Sequence, residues 1–249
     1  SDRRQRQMCI RDRCGPAFLS LPQDIQGVAY DFPEVFFEEK IHRIRRPEPE
    51  LADLEDAKAA LMKAEKPLII SGGGVHYSLA TDELKAFAEK HNIPVVETIA
   101  GRATMLQDNP LNAGPIGVTG SDSANYMAAH ADVVLAIGTR LQDFTTGSWS
   151  VFRNPDMKLI AMNVARFDAI KHRALAVKCD AQRGMAKLSQ LLGDWRSSDD
   201  WASTAKAQAD EWKAVVQRRT NPQEGDLLPG MSCLLYTSDA AADRGCGGG

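Results

Sequence analysis

The chain has 249 residues, 43% of them hydrophobic and 25% charged, with a formal net charge of -3. That is enough for one large domain or one domain with appended pieces. No run approaches the roughly 18 consecutive apolar residues that span a bilayer, and no signal peptide is visible, so a cytoplasmic protein without membrane contact is expected.

Both ends read as foreign to the fold. Ser1 to Arg13 carries five arginines against two aspartates, the pattern of a basic nucleic-acid arm. It is also very similar to translated sequencing-adapter read-through, as is Met231 to Gly249 with its L-L-Y-T-S-D-A-A. Setting residues 1–13 and 231–249 aside as artefact-like tails leaves a mildly acidic interior and no support for a nucleic-acid partner. Cys9, Cys233 and Cys246 go with the tails, and Cys14 sits at the boundary. Cys179, after the apolar run Ala174 to Val177, reads as a buried small hydrophobe. Without a C-x-x-C pair, neither a disulfide framework nor a zinc site is expected.

From Gly15 onward, short apolar runs alternate with helical patterns. Ala17 to Leu21 reads as a strand closed by Pro22. Asp31 to Glu50, with Pro33, Pro47, Pro49 and the run H-R-I-R-R, reads as an extended linker. Leu51, Leu54, Ala57, Leu61 and Met62 recur at helical spacing. Pro67 to Ser71 predicts a strand running into Gly72, Gly73 and Gly74. Thr81, with Asp82 and Glu83, predicts a capped helix start, and His91 and Asn92 its end. Ile93 to Thr98 predicts the next strand, followed by the Gly-rich loop Gly114 to Gly120 and a helix over Ser121 to His130. Further strands are expected at Val133–Ile137, Lys158–Met162 and Leu175–Val177, and a helix at Ala181–Leu192. Trp201, Ala205, Ala209, Trp212 and Val216 predict one more amphipathic helix, which runs into the Pro/Gly segment Asn221 to Gly230. Strand alternating with helix implies an α/β fold: a three-layer, Rossmann-like parallel sheet with helices on both faces.

In such a sheet, ligands sit just past the carboxyl ends of the strands. That places the candidates in three loops: Gly72, Gly73, Gly74 and His76 after the first strand, Arg102 with Thr104 after the second, and Arg140, Gln142, Asp143, Phe144 and Thr145 after Val133–Ile137. Thr119, in the Gly114–Gly120 loop, joins them. Arg140 and Asp143 are equally explained by pairing with each other or capping the next helix. Three glycines after a strand let a ligand approach the backbone closely. The spacing lacks G-x-G-x-x-G, although Glu97 stands about where a dinucleotide fold places its ribose-binding acid. No second His or Cys stands at metal spacing from His76, so no metal is expected. Asp168, Lys171 and His172 read as a solvated helix face.

The order G-G-G, V-V-E-T-I-A-G-R, G-P-I-G-V-T-G-S-D-S-A-N and A-I-G-T-R-L-Q-D-F-T-T-G resembles the central domain of thiamine-diphosphate enzymes of the acetohydroxyacid synthase type. C-G-P-A-F-L-S-L-P-Q-D, from Cys14 to Asp24, is similar to the end of their preceding pyrimidine-binding domain. Within the family, G-V-H-Y-S, L-Q-D-F-T-T-G-S-W and N-V-A-R-F-D-A-I-K-H are most similar to the trihydroxycyclohexanedione hydrolases of inositol catabolism. The resemblance implies a division into residues 14–30 (end of the pyrimidine-binding domain), 31–50 (linker), 51–197 (central domain) and 198–230 (a linker helix towards the diphosphate-binding domain).

It further implies thiamine diphosphate and Mg2+ as cofactors, a cyclic diketone as substrate, and self-association as a homodimer or homotetramer. Catalytic residues are expected outside this chain: neither the family's activating glutamate nor its G-D-G…N motif is found. Asn163, Val164 and Ala165 replace the acidic D-I-D of flavin-binding members, so no FAD is expected. Phe144 stands where synthases place an arginine near the substrate carboxylate. Three functions stay open: a ring-opening hydrolase, a carboligating synthase, and a stand-alone nucleotide-binding module.

Overall fold

The computed structural model describes residues 20–39 and 46–221. Both expected tails lie outside the described residues, as do residues 17–19 of the strand expected at Ala17–Leu21. Ser20 and Leu21 carry no strand, and Pro22 leads into a single helical turn, α1 (Gln23–Gln26). The expected linker holds a 3-10 turn, Glu34–Phe36.

Six strands build one sheet: β1 (Pro67–Ser71), β2 (Val95–Glu97), β3 (Asn112–Pro115), β4 (Val133–Ile137), β5 (Lys158–Asn163) and β6 (Leu175–Lys178). Every pairing is parallel and the order is β3-β2-β1-β4-β5-β6, the doubly wound arrangement. A parallel strand covered on both faces has no polar side, hence the unbroken runs L-I-I and V-V-L-A-I. Period-two alternation then divides each run between two cores. Ile69, Leu135, Ile137 and Ile160 pack on one face; Leu68, Ile70, Val134 and Ala136 pack on the other.

Strand β3 (N-A-G-P) escapes sequence reasoning because nothing in it is a strand former. It is an edge strand, where a proline is tolerated, and its register to β2 is irregular. The Asn112 amide holds it by donating to the Met105 carbonyl (3.0 Å), while its oxygen accepts from Gly114 N (2.9 Å).

The helices are α2 (Leu51–Leu61), α3 (Gly73–Tyr77), α4 (Thr81–His91), α5 (Asp122–His130), α6 (Asp143–Thr146), α7 (Arg166–Ile170), α8 (Ala181–Leu192) and α9 (Asp199–Thr220). Leu54, Ala57 and Leu61 bury the inner stripe of α2, while Leu51 and Met62 stay exposed. Thr81 is the first helical residue of α4, not its cap: the Ala80 carbonyl already accepts from Leu84 N at 2.9 Å, and no side chain caps that end. Asn92, left-handed at φ 55, closes the helix as expected. Ser121, Asp180 and Ser198 cap α5, α8 and α9 through their side chains. Trp201, Ala205 and Ala209 are buried along α9, and the Trp201 indole donates to the Pro67 carbonyl at 2.8 Å.

Asp168 corrects the expectation of a solvated face. It is buried because α7 lies against β5 and β6, and Lys171 pairs with it at 3.0 Å. His172 stays exposed as expected, with its ring 4.3 Å between centroids from that of Trp149; partial desolvation there, and then the Lys171 charge, push its pKa below the usual histidine value. Cys179 is fully buried, and burial pushes its thiol up to about 12. The thiolate is the reactive form. In the folded chain, iodoacetamide at pH 8 is therefore expected to leave Cys179 unmodified while denaturant exposes it, as read by mass mapping of its peptide; labelling without denaturant refutes the burial.

Candidate functional site

Strands β1 and β4 are neighbours whose onward connections diverge to opposite sides of the sheet. Past their carboxyl ends lies the crevice where open α/β sheets hold ligands. Here backbone fills it. Gly72 N donates to the Ile137 carbonyl and Gly74 N to the Gly138 carbonyl, both at 2.9 Å. A Cβ on Gly74 would stand 2.5 Å from Gly138 Cα, and Gly138 itself sits at φ +61. The glycines of β1 do serve a close approach, but what approaches is the β4 loop.

The polar groups around the crevice are also committed to the fold. Glu97 is buried, and its Oε1 accepts from Thr104 Oγ1 (3.2 Å) and Met105 N (3.0 Å). Ser71 Oγ donates to Thr104 Oγ1 at 2.7 Å. A carboxylate bound this way closes the β2–β3 connection and is not presented to a ribose. His76 Nε2 donates to the Arg102 carbonyl at 2.8 Å, tying the β1 and β2 loops together. Asn163 donates to the Thr139 carbonyl and accepts from Ala165 N, both at 3.0 Å. Arg102 and Arg140 are exposed, and among the described residues neither guanidinium has an ion-pair partner.

A second cluster forms where the β3 and β4 loops meet. Val118 N donates to the Phe144 carbonyl at 3.0 Å. Asn125 brackets Gly117, accepting from its N–H (3.0 Å) and donating to its carbonyl (2.9 Å). Asp143 opens α6 and accepts from Ser148 Oγ at 2.7 Å through Oδ1, so its partner is not Arg140. Phe144 is 52% exposed, Thr145 half-buried and Thr119 exposed. Beside them runs an open groove of about 620 Å³ lined by Gly117, Asp122, Asn125, Tyr126, Asp143 and Arg153.

The candidate residues thus all lie past the carboxyl ends of strands, in two groups. Gly72, Gly73, Gly74, His76, Arg102 and Arg140 surround the filled crevice; Thr119, Asp143, Phe144 and Thr145 border the groove. Only Asp143 of them lines it. Sequence reasoning missed Asn125 and Ser71, whose partners are 8 and 33 residues away. Among the described residues, no cluster of three or more His, Cys, Asp or Glu side chains is arranged to hold a metal ion, and no helix is long and apolar enough to cross a membrane.

Comparison with known proteins agrees with this fold. Residues 54–188 match the model of the thiamine pyrophosphate enzyme central domain. The chain is 44% identical over 211 residues to a 3D-(3,5/4)-trihydroxycyclohexane-1,2-dione hydrolase of Clostridium perfringens, covering 83% of this chain and 32% of that protein. It is 41% identical over 212 residues to the protein of that name from Geobacillus thermodenitrificans, covering 85% and 33%. The chain spans about a third of the length of these relatives. It belongs to the thiamine pyrophosphate enzyme family, whose central domain it contains.

Proposed function

We propose that this chain is the central part of a thiamine-diphosphate-dependent hydrolase that opens a cyclic diketone by cleaving a C–C bond, acting in inositol catabolism in the cytoplasm. The observation that carries the reading is the 44% identity, over most of the chain, to a protein named for that hydrolysis. Self-association of the full-length protein belongs to the same proposal.

The described residues do not fit the cofactor's charged end. They offer no carboxylate cluster for Mg2+, and the amides of Gly72 and Gly74 are already bonded to β4 and its loop. Diphosphate and metal are assigned to the remainder of the polypeptide. A flavin-free protein is supported by the filled crevice and by Asn163, which is occupied with its own loop and offers no carboxylate to a ribose.

What this chain contributes to substrate is a wall. Phe144 offers an exposed apolar face against which a six-membered carbon ring can pack. Beside it, Thr145 and the second carboxylate oxygen of Asp143 are candidates to bond ring hydroxyls.

The test uses the full-length protein with thiamine diphosphate and Mg2+, assayed on the cyclic diketone trihydroxycyclohexane-1,2-dione and on pyruvate. Hydrolysis of the dione that depends on both cofactors is expected. Acetolactate formation without dione turnover, or a bound flavin spectrum, returns the chain to the synthase branch. The 249-residue chain alone is expected to give no one-site calorimetric titration with thiamine diphosphate at micromolar concentration.

A further inference from the structure

The edge that carries the filled crevice has a second property. Tyr77, Leu79, Ile99, Val118 and Phe167 are each more than 60% exposed. They come from the segments after β1, β2, β3 and β5, so apolar exposure recurs at four strand ends of the carboxyl edge. Isolated apolar residues on a surface are ordinary, but apolar exposure gathered on one edge points to an interaction site. Arg102, Arg140 and Arg166 stand exposed after β2, β4 and β5, without an ion-pair partner among the described residues. Of the carboxylates nearby, Asp168 is paired with Lys171, while Asp122 and Asp143 stand exposed at the groove, Asp143 accepting from Ser148. The edge therefore combines exposed apolar side chains with three exposed guanidinium groups. Its central crevice is closed, so outside the groove beside Asp143 the edge suits a broad protein surface.

The path of the chain identifies the occupant. Arg46 donates to the Ser78 carbonyl (2.6 Å) and pairs with Asp180 (2.9 Å), and Asp180 N donates to the Pro47 carbonyl (2.9 Å). Ser78 follows β1 and α3, and Asp180 follows β6, so the polypeptide joins the sheet at this carboxyl edge. Glu48 fastens the next turn to Arg183 and Lys187 of α8. Ahead of it, residues 20–39 are exposed throughout, with Leu21, Ile25, Val28, Phe32 and Phe37 all more than half exposed. The relatives are about three times as long as the stretch they share with this chain.

We infer that the carboxyl edge of the sheet is a docking face, covered in the full-length protein by the unit of the same polypeptide that runs ahead of Arg46. The covering surface is apolar at its centre, with carboxylates placed opposite Arg102, Arg140 and Arg166. The inference rests on the proposal that this chain is one part of a longer enzyme, and it adds which face meets the rest.

Hydrogen exchange compares the full-length protein with the 249-residue chain. Amides of residues 98–102 and 164–168 are expected to exchange roughly tenfold or more slowly in the full-length protein. Ile99→Glu and Phe167→Glu, made singly, are expected to lower the full-length thermal transition by about 4 °C or more and to move that of the 249-residue chain by only ~1 °C. Equal exchange in both proteins overturns the inference. So does protection in the 249-residue chain that rises with its concentration, because a second copy then covers the edge. Protection and destabilisation as expected in a full-length protein that leaves the cyclic dione intact uphold the docking face and refute the proposed reaction alone.

Discussion

Gly138→Ala is expected to destabilise the 249-residue chain by about 3 kcal/mol. The new methyl group would stand 2.6 Å from Gly74 Cα and 2.8 Å from Gly74 C. Both are backbone atoms held by the hydrogen bond from Gly74 N to the Gly138 carbonyl, so neither can swing aside. Overpacking of this kind costs about 1–3 kcal/mol, and a left-handed φ of +61 adds about 1 kcal/mol for a residue with a side chain. Gly147→Ala is the control. Its φ is +54, but its nearest neighbour is the Ser150 hydroxyl at 2.9 Å, the end of a side chain that can turn. A loss of about 1 kcal/mol is expected there. Denaturant midpoints at unchanged slope measure both. If Gly138→Ala costs no more than Gly147→Ala, β1 and β4 do not close the crevice as described.

The second large effect concerns Phe144 in the full-length protein. Phe144→Arg is expected to lower kcat/KM for the cyclic dione by roughly 100-fold, the scale on which a hydrophobic contact discriminates between substrates. Arginine places a fixed fork of donors where the ring would pack. Such a fork binds a desolvated carboxylate bidentately, so any gain is expected with pyruvate. Because Phe144 is 52% exposed and makes its loop contact through its backbone carbonyl, the substitution is expected to leave the fold intact, as circular dichroism would show. Unchanged dione turnover by the folded variant removes Phe144 from the substrate wall.

Much of the architecture was legible in the residues because it is local. V-V-L-A-I and P-L-I-I-S are too short and too apolar for anything but strands buried on both faces. A-Q-R-G-M-A-K-L-S-Q-L-L marks the helix expected at Ala181–Leu192, and its apolar spacing sets the buried stripe. Alternation of such pieces already implies a parallel doubly wound sheet. The ordered glycine-rich segments carried the family, because each marks a turn at a fixed distance from a strand.

Only the tertiary structure decided what those glycines are for. Three in a row after a strand predict that something comes close, and chain periodicity does not say whether it is a ligand or another loop. The partner of Gly74 is Gly138, 64 residues away, and such long-range pairing leaves no local signature. Glu97 and Asp168 changed meaning for the same reason. A carboxylate in sequence is a charge of unknown address until the fold brings Thr104 and Met105 to one and Lys171 to the other. Strand β3 was invisible because its place comes from the Asn112 side chain and the edge it joins, not from any β-propensity of N-A-G-P. Local patterns determined most of the elements that form; the pairing of distant loops determined which polar groups are consumed.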